Sequence, residues 1–150
     1  MTLPGAQLVL DTNILVHLLR ARYAAQVIER RYHISQRTPR AMICVVTKGE
    51  MKALAYKFQW GADKHARLRA MLAGLPAADI SHGMVHDAYA ELDDASRIRG
   101  VKMGKNDLWI AATTVVAGGV LLTTDADFDH LSPSKLTVER IDEAQLREDG

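Results

Sequence analysis

Apolar residues follow two rhythms along this chain. Leu8-Val9-Leu10, Met42-Ile43-Cys44-Val45-Val46 and Val120-Leu121-Leu122-Thr123 are short continuous runs, the pattern of strands buried on both faces. Leu136-Thr137-Val138-Glu139-Arg140 is a more polar run, expected nearer a sheet edge, and Ala78-Asp79-Ile80 is a further short candidate. Between the runs, apolar positions recur every three or four residues. Ile14, Leu15, Leu18 and Leu19 predict one helix, and a second covers Ala24 to Tyr32. Met51, Leu54, Ala55 and Phe58 follow Thr47 and Glu50, and a helix from Asp63 to Ala73 closes at Gly74. Ser81 is the expected cap of a long helix through Val85, Ala88, Tyr89, Leu92 and Ile98 that stops at Gly100. Asn106 is the expected cap of a helix from Asp107 to Ala117, ended by Gly118-Gly119.

Buried runs alternating with helical patterns predict an α/β domain with a central, mainly parallel sheet covered on both faces. In such sheets ligands gather beyond the carboxyl ends of the strands. Acids fall at those ends here. Asp11 follows the first run, Glu50 lies just past the second, Asp125 and Asp127 follow Val120–Thr123, and Asp107 starts a helix after Gly104-Lys105-Asn106. Carboxylates at one rim repel one another unless a cation sits among them, and hard divalent ions take oxygen ligands. Such an ion beside basic side chains suits phosphodiester hydrolysis, with no nucleophile from the protein.

With 150 residues, the chain fits one domain with no internal repeat or linker. One cysteine, Cys44, excludes a disulfide framework and a cysteine-based zinc cluster. His82 and His86 stand one helical turn apart, without the glutamate of a metalloprotease motif. The absence of any 18-residue apolar stretch or signal-like N-terminus predicts a cytoplasmic protein with no membrane span. The net charge of +1 hides an asymmetry: residues 20–69 carry twelve basic and three acidic residues, a net +9, leaving −8 elsewhere. Solvated helix faces account for this, and so does a polyanion partner beside a carboxylate cluster.

Leu8-Val9-Leu10-Asp11-Thr12-Asn13-Ile14-Leu15, Thr47-x-x-Glu50, Asn106-Asp107-Leu108-Trp109-Ile110-Ala111-Ala112 and Leu121-Leu122-Thr123-Thr124-Asp125-Ala126-Asp127-Phe128 follow in an order that resembles a PIN domain, and more narrowly the VapC-type toxins of bacterial toxin–antitoxin pairs. The resemblance runs from about Leu8 to Glu139 within a single domain of residues 1–150. It implies a three-layer α/β/α fold and Mg²⁺- or Mn²⁺-dependent cleavage of RNA. It implies Asp11, Glu50, Asp107 and Asp125 as catalytic, metal-binding acids, with Asp127 sharing or replacing the fourth. Asn13 and Asn106 would orient Asp11 and Asp107; Thr47 and Thr124 would support the cluster, with Thr123 an alternative to Thr124. A homodimer and a cognate antitoxin are the implied protein partners. A housekeeping PIN ribonuclease and an inactive PIN-fold binding module are the alternatives; a phosphatase led by Asp11 ranks lower, because Asn13 stands where its second acid belongs.

Local explanations compete with each acid. Thr47 and Glu50 fit a capping box. Asp107 fits a first-turn acid favoured by the helix dipole. Asp125, Asp127 and Asp129 fit an Asx-type turn, to which Asp129 is assigned. Asp87, Glu91, Asp93 and Asp94 fit a solvated helix face, and Lys105 a solvated lysine beside the acids. Trp109 is expected to face the core or a partner. Tyr56, Phe58 and Trp60, interleaved with Lys52 and Lys57, are expected to pack in a core or dimer, although the pattern also matches a base-stacking surface.

Overall fold

A computed structural model describes residues 3–148. The elements run β1 (Leu8–Leu10), α1 (Thr12–Arg20), α2 (Arg22–Tyr32), β2 (Ile43–Cys44), α3 (Val45–Lys57), α4 (Ala62–Ala73), β3 (Ala77–Ala78), α5 (Gly83–Ile98), α6 (Lys105–Val116), β4 (Val120–Thr123) and β5 (Val138–Arg140). Short 3-10 turns cover Ile34–Gln36, Ala126–Leu131 and Glu143–Leu146.

All strand pairs are parallel. One sheet has the order β1-β4-β5, with Leu8 opposite Val120 and Leu121 opposite Val138; β2 pairs with β3, Ile43 opposite Ala77. A parallel bridge between Val9 and Met42 joins the two sheets, supported by Leu10 N–H to Met42 O and Met42 N–H to Leu8 O. The continuous order is therefore β3-β2-β1-β4-β5, with β1 at the centre and β5 at an edge, as its polar run predicts.

Strand alternation divides the core in two. Leu8, Leu10, Ile43 and Leu122 face a cluster built with Ile14, Leu15, Ile28, Tyr32, Met51 and Leu68 from α1 to α4. Val9, Cys44 and Leu121 face the other cluster, with Val85, Leu92, Leu108, Ile110 and Phe128. Helices on both faces give the expected three layers. Among the described residues no helix is long and apolar enough to cross a membrane.

Four local expectations are corrected. Val45 and Val46 belong to α3 and not to the strand, because β3 offers only Ala77 and Ala78 as partners and the ladder ends at Cys44. The strand expected at 78–80 is Ala77–Ala78; Asp79 instead accepts hydrogen bonds from the backbone N–H groups of Ile80 and Ser81. Ser81 caps nothing: its hydroxyl donates to Asp79 and His82 holds the cap position of α5. Likewise Gly104 holds the cap position of α6, leaving Asn106 inside its first turn.

Candidate metal centre

The parallel register brings the ends of β1, β2 and β4 to one rim. Asp11 is only 3% exposed and caps α1 itself, its Oδ1 accepting from Thr12 N–H at 2.8 Å. Its Oδ2 accepts from the Thr123 hydroxyl at 2.7 Å and from the Asn13 amide at 3.1 Å. Thr123 is buried and has one hydroxyl hydrogen, so with that hydrogen on Asp11 its oxygen is free to accept from Asp125 N–H at 2.9 Å. A single threonine at the end of β4 thus ties the first acid to the fourth. Asn13 closes the loop: its carbonyl oxygen accepts from Thr124 N–H at 3.2 Å.

Glu50 is held separately. Thr12 donates its hydroxyl hydrogen to Glu50 Oε1 at 2.7 Å, so the 3.0 Å contact between Thr12 and Thr47 has Thr47 as donor. Thr47 lies inside α3, whose cap position is Cys44, so the capping-box reading of Thr47 and Glu50 does not hold.

Asp107 in the first turn of α6, Asp125, and Asp127 each bring a carboxylate oxygen within 4.8 Å of the others. Asp125 also accepts from Asp127 N–H at 2.8 Å, so the Asx turn and the acidic cluster coexist in one segment. Burial, then the charges of Asp11, Asp125, Glu50 and Asp127, push the Asp107 carboxyl up to about 7. Burial, opposed by the Thr123 and Thr12 hydrogen bonds, pushes Asp11 up to about 6. All five acids thus share one field, with Asp107, Asp125 and Asp127 as its tightest part and Asp11 and Glu50 around it.

The other expected residues sort clearly. Asn13 orients Asp11 as anticipated. Asn106 is exposed and makes no side-chain hydrogen bond among the described residues, so it does not orient Asp107 here. Thr124 reaches Glu143 at 3.4 Å and not the acids; Thr123 does the work assigned to it. The hold of Thr12 on Glu50 is not visible in the sequence. The signal available was its place between Asp11 and Asn13. Lys105 is exposed and lines the recess that Glu50, Gly104, Asn106 and Asp107 form. Asp129 pairs with Arg140 at 3.1 Å, consistent with a structural role. Trp109 packs half-buried with Tyr89, ring centroids 4.2 Å apart.

An all-oxygen set whose members raise one another's proton affinity fits a hard divalent cation such as Mg²⁺ or Mn²⁺. It lacks the histidine or cysteine that zinc sites usually include.

A parallel α/β/α domain with an acidic rim drawn from four separate segments defines a class, and the chain belongs to it: it is a member of the PIN domain family, whose family model matches residues 8–132. Within the family it is similar to VapC ribonuclease Mb1587 of Mycobacterium bovis, 27% identical over 129 residues that span 83% of this chain and 91% of that protein. Ribonuclease VapC11 of Mycobacterium tuberculosis matches to the same extent. The fold is shared with VapBC2 from Rickettsia felis bound to a DNA fragment from their promoter, at a TM-score of 0.70, 21% identity, and coverage of 90% of this chain and 98% of that one. It is shared also with VapBC-5 of the VapBC family of toxin–antitoxin systems from Mycobacterium tuberculosis, at a TM-score of 0.65, 24% identity, and coverage of 92% and 100%.

Proposed function

We propose that this protein is a divalent-cation-dependent endoribonuclease acting as the toxin of a toxin–antitoxin pair. The observation that carries the reading is the rim of Asp107, Asp125 and Asp127, electrostatically coupled to Asp11 and Glu50. Membership of the PIN family and similarity to proteins named VapC ribonucleases support it. Asp11, Glu50, Asp107 and Asp125 would hold Mg²⁺ or Mn²⁺, with Asp127 beside Asp125. When bound, the cation supplies Lewis-acid polarisation of the phosphoryl oxygen and a more acidic water. The protein's own part is positional. Thr123 and Asn13 fix the Asp11 carboxylate, Thr12 and Thr47 fix Glu50, and Lys105 offers a positive charge at the edge of the recess.

A cognate antitoxin is the natural partner in this reading, because solved neighbours of the same fold are toxin–antitoxin complexes. A homodimer belongs to the same proposal, as does a cytoplasmic setting. The test is cleavage of total RNA by purified protein with Mg²⁺ or Mn²⁺. Discrete fragments are expected, lost in EDTA and in Asp107→Asn. Equal cleavage by Asp107→Asn would remove the acid rim from the mechanism. Growth arrest on expression, relieved by the same substitution, is expected for the toxin role.

A further inference from the structure

The basic segment of residues 20–69 is not uniformly solvated. Several of its cations are committed to the fold. Arg37 is buried and donates to the carbonyls of Ala6 and Tyr32. Arg40 donates to Gly74 O, Arg67 to Leu19 O at 3.1 Å, and Arg31 to Gln145 at 2.8 Å. A different subset gathers between α3 and α4. Lys48, Lys52, His65 and Arg69 line a groove of about 390 Å³ floored by Ala55, Leu68 and Leu72, and no acid contributes to its wall. Lys48, Lys52 and Arg69 form no ion pair among the described residues.

An aromatic surface edges this groove. Tyr56 is 80% exposed, outside the core of the chain, and meets the His65 ring edge-on at 6.2 Å. Phe58 is half-exposed as well. Of the three aromatics, Trp60 lies against the core, with Lys64 over its ring at 4.3 Å. Unpaired cations beside an exposed ring match the two needs of a single nucleic-acid strand: phosphates want the charges, and a base face wants the ring.

The groove also has a fixed relation to the acids. Lys48 and Lys52 are each two residues from Glu50, which turns them about 200° around α3 and sets them only about 3 Å along its axis. The acid rim and the basic groove are thus opposite flanks of one helix, about one helix diameter (~10 Å) apart.

We infer that the groove between α3 and α4, lined by Lys48, Lys52, His65 and Arg69 with Tyr56 at its lip, docks the backbone of a single-stranded RNA. The inference rests on the ribonuclease reading and names where the substrate is held outside the reacting centre. Repulsion from the acid rim keeps phosphates off that flank until a cation is bound. The groove supplies the attraction that the rim lacks.

The test is RNA binding by Asp107→Asn protein, read by anisotropy of a fluorescein-labelled single-stranded RNA of mixed sequence over a range of salt. Lys48→Gln/Lys52→Gln/Arg69→Gln in that background is expected to weaken binding at least about tenfold at low salt. Its slope of log affinity against log salt should fall by about 2, from ~0.7 per lost phosphate contact on a single strand. Tyr56→Ala should weaken binding on the order of tenfold with the slope unchanged. Lys102→Gln/Lys135→Gln removes two charges elsewhere and should change little. All these side chains are exposed or half-buried, and circular dichroism checks that each variant folds. Unchanged binding in the triple variant overturns the inference even if the wild type cleaves RNA. So does a loss equalled by the Lys102/Lys135 control, which would mean that net charge alone attracts RNA. Groove-specific binding by a wild type that cleaves nothing keeps the groove and removes the nuclease reading. An acidic protein that binds the groove and leaves RNA affinity intact also overturns it.

Discussion

Thr123 shows how much one hydroxyl can organise. It gives its hydrogen to Asp11 and receives the N–H of Asp125, so it sets the spacing of two acids that no local sequence relation fixes. Thr123→Val keeps the shape and removes both bonds. It should lower Mn²⁺ affinity about 10- to 100-fold, the usual cost of losing a partner that orients a ligand, measurable by calorimetry. The acids themselves predict a pH dependence. Asp11 and Asp107 have folded-state values pushed up to about 6 and about 7 from the ordinary aspartate value of 3.8. Between pH 4 and 7 the folded protein therefore holds protons that the unfolded chain has released. Their contribution to stability is complete below pH 4 and falls as pH rises to about 7. In EDTA, thermal unfolding should show this decline between pH 4 and pH 7, and Asp107→Asn should flatten it. Identical profiles for the two proteins would contradict the burial and repulsion assigned to Asp107.

At the scale of elements, the chain announces its strands and helices by periodicity but hides their junctions. Val45-Val46 reads as strand because β-branched runs carry no helical signal; the two-residue β3 decides otherwise. Ser81 and Asn106 are good caps by type, yet His82 and Gly104 hold those positions, since the loop path and not propensity sets where each helix starts. The acids were legible because each sits just beyond a recognisable run or helix start. Thr12's hold on Glu50 was not, being a contact between residues 38 apart in sequence. Gly119 marks a junction where the backbone leaves no room for a side chain. Lying between α6 and β4, it faces the start of β1: a Cβ there would meet Gln7 O at 2.7 Å and Val9 Cγ2 at 3.4 Å. Gly119→Ala should cost about 1–3 kcal/mol through that overlap, seen as a lower urea midpoint.

Across the whole molecule, charge is divided between a rim that repels anions and a groove that attracts them, with α3 as the partition. A cation at the rim relieves the repulsion, and binding only the folded state stabilises it by mass action. Mn²⁺ at about 100 times its dissociation constant should add about 2.7 kcal/mol to unfolding. The gain should be larger at pH 8 than at pH 5, where Asp11 and Asp107 hold their protons. A thermal shift with Mn²⁺ that persists unchanged in Asp107→Asn would assign the ion to another place.

The central position of β1 sets when the acid rim can exist during synthesis. The ribosome makes β1 well before its neighbour β4, and Asp11 must wait for Thr123, 112 residues downstream. A chain released short of that threonine carries the first acids but lacks the strand that completes their arrangement. Copies that stop short of Thr123 are therefore expected to be inert.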